Sequence, residues 1–209
     1  MVQTNNLTFQ YKNSTSTFNF PNITLGKQEN LLILGKSGIG KTTFLHLLSG
    51  LLKPTNGQVL INKENITSLK NKQLDAFRGE NIGMVFQKKH AIQSLSVIEN
   101  LQARLFFSKK PRSNQEIEAL LQQLDLLELK KHKINQLSEG QLQRLGIALA
   151  VIHNPQVILA DEPTSSLDDE NCKRVIELLI NQAALTNANL IVITHDHRIK
   201  LFFQKSITL

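Results

Sequence analysis

The sequence predicts an α/β fold with a mostly parallel sheet, an antiparallel β subdomain at the N-terminus and a helical insertion in the middle. The apolar run 31–34 is followed by a glycine-rich turn and then by apolar residues at helical spacing. Two further continuous apolar runs, at 157–160 and 190–193, have the composition of strands covered on both faces. The N-terminal residues instead alternate between apolar and polar, which is typical of antiparallel strands.

The N-terminal part is predicted to contain three strands. Residues 7–11 and 17–20 alternate in hydrophobicity, and a polar turn at Asn13–Ser16 joins them. After a second turn at 54–57, residues 58–62 have strand composition. We expect these strands to form the antiparallel subdomain.

The turn after the first apolar run, Gly35–Thr42, fits the pattern G-x-x-x-x-G-K-[ST] of a phosphate-binding P-loop. Its glycines allow backbone N–H groups to point inward, and the N-terminus of the following helix adds positive potential. Lys41 offers a charge to the β- and γ-phosphates, and the Thr42 hydroxyl is a ligand for Mg²⁺. A chance match would not also have a strand before it and a helix after it, so the predicted core is that of a P-loop NTPase. The candidate nucleotide-binding residues of this loop are Gly35, Lys36, Ser37, Gly38, Ile39, Gly40, Lys41, Thr42 and Thr43.

The other two buried strands also end in polar residues. Asp161 and Glu162 follow the run 157–160, and His195 follows the last run. In a parallel sheet these ends share one edge, where open α/β sheets bind ligands. Asp161 is therefore a candidate Mg²⁺ ligand, and Glu162 a candidate general base for the attacking water. The structural alternatives are an acidic loop exit for the carboxylates and a core position for His195.

The middle of the chain has helical character from about residue 88 to 150. We expect a helical subdomain there, inside a single domain that spans residues 1–209. The capping box 113–116 begins a helix whose apolar stripe runs over 117–127. A further helix is predicted at about 170–182, between the last two buried strands.

Gln87 follows the predicted strand 83–86 and stands immediately before the helical insertion. A lone glutamine is usually solvated. Its position also fits a neutral ligand that senses Mg²⁺ or water and reports the state of the nucleotide to the helical insertion.

Composition excludes several classes of protein. The formal charge is +7, but the lysines are dispersed and no aromatic residues interleave with them, so we expect a solvated surface and no direct nucleic-acid partner. A single cysteine, Cys172, cannot form an internal disulfide. No apolar run approaches the roughly 18 residues of a membrane span, and the polar N-terminus lacks a signal-peptide core. We therefore expect a cytoplasmic protein.

The segment Leu137–Gln141 reads L-S-E-G-Q and resembles the signature of the ATP-binding-cassette (ABC) family, usually L-S-G-G-Q. The resemblance covers essentially the whole chain, and its motifs stand in the family's order. The remaining matches are Tyr11 to the aromatic that stacks on adenine, 35–42 to Walker A, Gln87 to the Q-loop, 157–162 to Walker B, Ser165-Ser166-Leu167-Asp168 to the D-loop, and His195 to the switch histidine.

This resemblance implies an ATPase that uses ATP and Mg²⁺. It also implies that Ser138, Gly140 and Gln141 meet the γ-phosphate held by the P-loop of a second copy, in a head-to-tail dimer. Ser138 and Gln141 also form a capping box, and both roles can coexist. The implied partner is a separate transmembrane permease, which places the chain on the inner face of the cell membrane. Within the family the chain most resembles ATPases of the lipoprotein-release and macrolide-export type.

Two positions depart from the family pattern. Glu139 replaces a glycine, which puts a carboxylate near the expected phosphate unless its side chain points away. Leu149 stands where the family commonly has arginine, so we expect a local polar contact to be lost.

Three alternatives remain open from the sequence. The chain could drive a membrane complex mechanically without transport, as cell-division members of the family do. It could act on nucleic acid or ribosomes, although that group usually carries two cassettes or a long coiled-coil insertion, and neither is present. It could also be a nucleotide-binding module without turnover.

Overall fold

The structure is a computed structural model that describes residues 1–12, 15–87, 90–165 and 167–209. The predicted turn at Asn13–Ser16 and the predicted D-loop therefore lie partly outside the described residues, as do positions 88 and 89 at the start of the predicted helical insertion. The strands are β1 (Val2–Gln10), β2 (Thr17–Asn19), β3 (Thr24–Leu25), β4 (Leu31–Leu34), β5 (Asn56–Ile61), β6 (Glu64–Asn65), β7 (Ile82–Val85), β8 (Val157–Asp161), β9 (Asn189–Thr194) and β10 (Lys205–Thr208). The α-helices are α1 (Lys41–Leu48), α2 (Asn71–Asn81), α3 (Val97–Ser108), α4 (Asn114–Gln123), α5 (Glu139–Val151) and α6 (Asp169–Leu185). Short 3₁₀ helices cover Ile66–Ser68, Leu127–Leu129, Ile134–Gln136 and His197–Phe202.

The strands form two sheets. One is parallel, with the order β10-β4-β9-β8-β7, and the other is antiparallel, with the order β2-β1-β5-β6 and β3 beside β1. The predicted fold class is confirmed: a parallel core sheet, an antiparallel N-terminal sheet, and helices α3 to α5 inserted between β7 and β8.

The register of the parallel sheet brings the predicted strand ends together. Leu34 pairs with Thr194, and Asp161 pairs with Ile193 on the other side of β9. The residues that follow β4, β8 and β9 therefore meet at one edge of the sheet.

The continuous apolar runs are explained by burial on both faces of this sheet. Leu31 and Ile33 of β4 pack into one core cluster with α1 and the antiparallel sheet, whereas Leu32 and Leu34 pack into a second cluster with the inserted helices and α6. Successive side chains of a strand point to opposite faces, so β4 needs apolar residues at every position. None of the helices in the described ranges is both long and apolar enough to cross a membrane.

Capping boxes begin three of the inserted helices. Ser96 caps α3, Ser113 caps α4 and Ser138 caps α5, each by accepting a hydrogen bond from the backbone N–H three residues later. Each such cap contributes about 1 kcal/mol to helix stability. Helix α2 and the strands β3, β6 and β10 were not predicted.

Candidate active site

The P-loop connects β4 to α1 at the carboxyl edge of the parallel sheet. Gly38 and Gly40 have φ of 81° and 109°, values that L side chains rarely adopt. Gly40 also packs closely, because a Cβ atom there would lie 2.8 Å from Cδ1 of Phe18. The loop can therefore turn its backbone toward a ligand only with glycine at these positions.

Lys41 is buried within the P-loop that carries it. Its Nζ donates hydrogen bonds to the carbonyl oxygens of Gly35, at 2.8 Å, and Lys36, at 3.1 Å. It also lies 3.3 Å from Oε1 of Glu162, and both side chains are nearly covered, with 7% and 11% of their surfaces exposed. The ammonium group and the proposed base are thus direct neighbours.

Thr42 and Asp161 form the second contact between the P-loop and the sheet edge. The Thr42 hydroxyl donates to Oδ2 of Asp161 over 3.0 Å. The other carboxylate oxygen, Oδ1, is buried and has no hydrogen-bond partner among the described residues. Burial raises the pKa of Asp161, and the nearby Glu162 carboxylate adds to this rise. A buried carboxylate oxygen without a partner is costly, and a hard cation is the ligand that such an oxygen suits.

Glu162 is held at the end of β8 by three hydrogen bonds to one oxygen. Its Oε2 accepts from the Thr194 hydroxyl at 2.7 Å and from the His195 backbone N–H at 3.3 Å, and lies 3.0 Å from Nδ1 of His195. Burial raises the pKa of Glu162, but the hydrogen bonds from His195 and Thr194 outweigh it, and the pKa lies below its ordinary value. An ionised carboxylate only accepts hydrogen bonds, so Nδ1 of His195 is the donor in this contact.

The backbone of Glu162 is in the left-handed region, with φ of 47°. Such a conformation costs a non-glycine residue on the order of 1–3 kcal/mol and persists when surrounding contacts impose it. The contacts that hold the two carboxylate oxygens are part of that constraint.

Tyr11 lies beside the P-loop and not within a strand. Its hydroxyl is 2.9 Å from Oγ1 of Thr43, its ring packs edge-on against Phe9, and 43% of its surface is exposed. A partly exposed aromatic ring beside the P-loop can stack on a base.

Gln87 is exposed and lines a cavity of about 600 Å³ between α2, β7, α3 and α5. Glu162 lines the same cavity, as does Phe107, which is 71% exposed. The cavity thus extends from the surface of the inserted helices to the proposed base.

The signature residues have a different environment. Ser138 Oγ accepts from the backbone N–H of Gln141 at 3.3 Å, and the Gln141 side chain accepts from the backbone N–H of Ser138 at 2.7 Å. Gly140 lies in the same first turn of α5 and is exposed. Within the described part of the chain, no hydrogen bond joins Ser138 or Gln141 to the P-loop.

Sequence reasoning missed Thr194 as a residue of the site. Its hydroxyl was visible in the sequence, but its partner lies 32 positions earlier. No local spacing reveals such a pair.

Near Leu149, where we expected a polar contact to be lost, an arginine from another helix is present. Leu149 and Arg104 of α3 line the same cavity. Arg104 donates to the carbonyl oxygens of Gly79 and Ile82, at 3.0 and 3.1 Å, and lies 2.8 Å from Nε2 of His153. Burial, followed by the charge of Arg104, lowers the pKa of His153 to about 3, so its ring is neutral and accepts from the guanidinium. Arg104 of α3 therefore makes polar contacts near Leu149, although Leu149 itself belongs to α5.

Comparison with known proteins identifies the family. A family model described as "ABC transporter" matches residues 18–165. The lipoprotein-releasing system ATP-binding protein LolD of Legionella pneumophila (strain Paris) is 36% identical over 179 residues, which cover 85% of this chain and 79% of LolD. The uncharacterized ABC transporter ATP-binding protein YvcR of Bacillus subtilis (strain 168) is 37% identical over 205 residues, covering 94% of this chain and 78% of YvcR.

A solved structure gives the same result for the fold. The dimeric post-hydrolysis state of the ATP-binding cassette MJ0796, bound to ADP and Pi, matches with a TM-score of 0.88 and 33% identity. The match covers 100% of this chain and 94% of that one. The expected resemblance, including the likeness to ATPases of lipoprotein release, is confirmed.

Proposed function

The chain belongs to the ABC transporter family as an ATP-binding subunit that hydrolyses ATP, and on this premise we propose that two copies form a head-to-tail dimer that drives a separate membrane-spanning subunit. The observation that carries the proposal is the meeting of three strand ends at one sheet edge. There, Thr42 contacts Asp161, and Glu162 contacts both Lys41 and His195.

ATP binds with its phosphates in the P-loop and its adenine on the ring of Tyr11. Lys41 now donates to two carbonyl oxygens of its own loop, and phosphate oxygens replace them when ATP enters. The backbone N–H groups of 36–43 and the N-terminus of α1 supply the remaining donors. Thr43 fixes the Tyr11 hydroxyl, so the ring is oriented before the nucleotide arrives.

Thr42 and Asp161 would hold Mg²⁺, with Gln87 as a further neutral ligand. The orphaned Oδ1 of Asp161 supports this assignment, because it is a buried oxygen that lacks a partner among the described residues. Mg²⁺ held there would supply positive charge that offsets the negative charge of the phosphates.

Glu162 accepts the proton of the attacking water through Oε1. Its other oxygen, Oε2, is already occupied by donors from Thr194 and His195. Oε1 faces Lys41 at 3.3 Å. When the ammonium group moves to the phosphates, Oε1 loses this neighbour and becomes the acceptor for the water.

The signature turn completes the site of the second copy. Ser138 and Gln141 satisfy each other's backbone N–H groups, and the turn is exposed at the N-terminus of α5, a position that suits an anion. Ser138, Gly140 and Gln141 therefore contact the γ-phosphate of the partner's ATP.

The membrane-spanning subunit docks over the cavity between α2 and α3. This cavity joins the exposed ring of Phe107 to Gln87 and Glu162, so a side chain inserted from the partner reaches the neighbourhood of the base. The chain is accordingly peripheral, on the inner face of the cell membrane, and movement passes to the partner through the segment 88–112.

The dimer is tested by mixing two variants that are each inactive. Lys41→Ala abolishes nucleotide binding by its own P-loop, and Ser138→Arg blocks the signature turn offered to the partner. In a head-to-tail dimer, a heterodimer of the two has one intact composite site. Random pairing in an equal mixture therefore restores about a quarter of the wild-type ATPase rate.

Ser113→Arg is the matched control, because Ser113 caps α4 through the same arrangement as Ser138 caps α5. It carries the same cost in helix capping and leaves the ATPase rate near that of the wild type. A mixture no more active than the sum of its two variants, with heterodimers demonstrated by co-purification of differently tagged chains, would contradict the head-to-tail arrangement.

A further inference from the structure

Arg198 lies just beyond the strand end that carries His195, in the 3₁₀ helix His197–Phe202. Its guanidinium grips Asp196 with two parallel hydrogen bonds, from Nε to Oδ1 at 2.9 Å and from Nη2 to Oδ2 at 2.8 Å. Such a bidentate pair fixes both side chains in one orientation. Arg198 is therefore anchored to the segment that follows β9.

The same guanidinium also holds the segment that follows β8. Nη2 donates to the carbonyl oxygen of Leu167 at 3.2 Å, and Nη1 contacts Oδ1 of Asp169 at 2.5 Å. Asp196 adds a third link, because its Oδ2 accepts from the hydroxyl of the buried Thr164 at 2.9 Å. The segment is thus tied to the end of β9 at three points.

This segment begins with Glu162. The backbone N–H of Ser165 donates to the carbonyl oxygen of Glu162, and the N–H of Leu167 donates to that of Thr164. Glu162 itself has the left-handed backbone described above, which only a well-constrained loop maintains. Contacts at Thr164, Leu167 and Asp169 restrain this loop and therefore help to fix the position of the Glu162 carboxylate.

We propose that Arg198 is a positioning residue for hydrolysis, which holds the loop that carries Glu162 against the strand end that carries His195. The proposal rests on the proposed role of Glu162 as the base. Arg198 acts through Asp196, Leu167 and Asp169 and does not touch the nucleotide. Consistent with this, the hydrogen bonds from Arg198 hold the pKa of Asp196 far below its usual range.

Arginine is suited to this role because its planar fork can serve three partners at once, which a lysine ammonium on a flexible stem does less well. An isolated exposed ion pair would restrain the loop only weakly. The bidentate grip on Asp196 and the bond to a backbone carbonyl distinguish Arg198 from such pairs.

The test measures ATP hydrolysis by the purified full-length chain carrying Arg198→Ala or Asp169→Asn. Rates are expressed per nucleotide-binding site, counted by titration, so that loss of folded protein does not count as loss of kcat. The controls are Arg174→Ala and Glu170→Gln, since these two residues form an ion pair on α6 with a similar exposed geometry but no contact with the loop in the described residues.

Arg198→Ala is expected to lower kcat about tenfold and to leave KM for ATP nearly unchanged, because displacement of a reacting group costs rate more than affinity. Asp169→Asn, at an exposed position where folding is not at risk, lowers kcat about threefold. The double variant is no slower than Arg198→Ala, because both changes break one network. The two controls keep the wild-type kcat.

Two outcomes separate this proposal from the assignment of the base. If Glu162→Gln is inactive while Arg198→Ala and Asp169→Asn match their controls, Arg198 does not position the loop and the base assignment stands. If Glu162→Gln hydrolyses ATP normally, the base assignment itself fails. A rise in KM with kcat unchanged would also overturn the positioning role.

Discussion

The catalytic edge and the signature turn of this chain are built in different ways. At the catalytic edge, side chains from the P-loop, β8 and β9 contact one another directly, as in the pairs Thr42–Asp161 and Glu162–His195. At the signature turn, Ser138 and Gln141 bond to each other's backbone within a single turn of α5. One region is a cluster of polar side chains assembled from three elements, whereas the other is an exposed turn whose hydrogen bonds are made within the turn.

The two regions also differ in what they contribute to the free energy of folding. The edge contains a buried carboxylate oxygen of Asp161 without a partner among the described residues and the left-handed backbone of Glu162. Both features disfavour the fold unless a ligand or a surrounding network compensates. The turn contributes a helix cap of about 1 kcal/mol. The catalytic edge therefore contains features that cost folding free energy, whereas the signature turn stabilises its own helix. The exposed turn can contact a second molecule without breaking these hydrogen bonds.

The largest expected effect separates chemistry from assembly. Glu162→Gln removes the proposed proton acceptor and keeps the shape of the side chain, so ATP turnover should fall by about 10²–10⁴-fold. ATP binding is retained, because the P-loop and the signature turn are intact. Single-turnover hydrolysis and nucleotide titration measure the two properties separately.

The same variant gives a readout of the dimer. With hydrolysis blocked, ATP should keep two Glu162→Gln chains together, and size-exclusion chromatography should show a dimer only when ATP is present. Glu177→Gln, on the exposed surface of α6, is the control. Normal turnover by Glu162→Gln would show that the catalytic edge works through another group.

Much of both regions could be predicted because their signals are local. The P-loop is one continuous segment, the strand ends follow apolar runs, and the capping box at Ser138 spans four residues. Helix α2 was missed because none of its residues is fully buried, and its Leu74 packs against Gly50, far away in the sequence. Strand β10 was missed because its Ile207 is only partly buried and the strand depends on pairing with β4.

The contacts within the site could not be predicted for the same reason. Thr194 and Glu162 are 32 residues apart, and Arg198 reaches Asp169 across 29 residues. The residue types were visible, but hydrophobic periodicity and motif spacing carry no information about which polar side chains meet after folding. The role of each site residue therefore remains a prediction for experiment.

An intermediate effect is expected at Thr194, which distinguishes positioning from chemistry at the catalytic edge. Thr194→Val removes one of the donors to Oε2 of Glu162 and lowers kcat about tenfold, as expected for loss of a hydrogen bond to a charged group. Thr194→Ser keeps the hydroxyl and is the control.

The pH dependence has a definite sign. Hydrogen bonds lower the pKa of Glu162 in the folded protein, so their stabilising effect is present above the unfolded pKa and is lost as the pH falls through the folded pKa. Removing the Thr194 donor moves the pKa of Glu162 upward. The acid limb of kcat against pH should therefore shift to higher pH in Thr194→Val and not in Thr194→Ser. An unshifted limb with a tenfold lower kcat would mean that Thr194 acts on another group, such as the backbone N–H of Asp196 that its hydroxyl also accepts.

The smallest expected effect is at Glu139, which tests whether the signature turn faces a phosphate at all. Glu139 is the first residue of α5, and its carboxylate stabilises the N-terminus of the helix while opposing the approach of an anion. Glu139→Gln should therefore lower thermal stability slightly, and should lower the ATP concentration needed for dimerisation about threefold at low salt. Glu170→Gln removes a first-turn charge from α6 instead and should change stability only. If the two variants change stability and dimerisation alike, the helix dipole explains both effects and the signature turn does not meet a phosphate. If Glu139→Gln instead lowers stability but strengthens dimerisation, and the effect on dimerisation fades at high salt, the turn faces a phosphate.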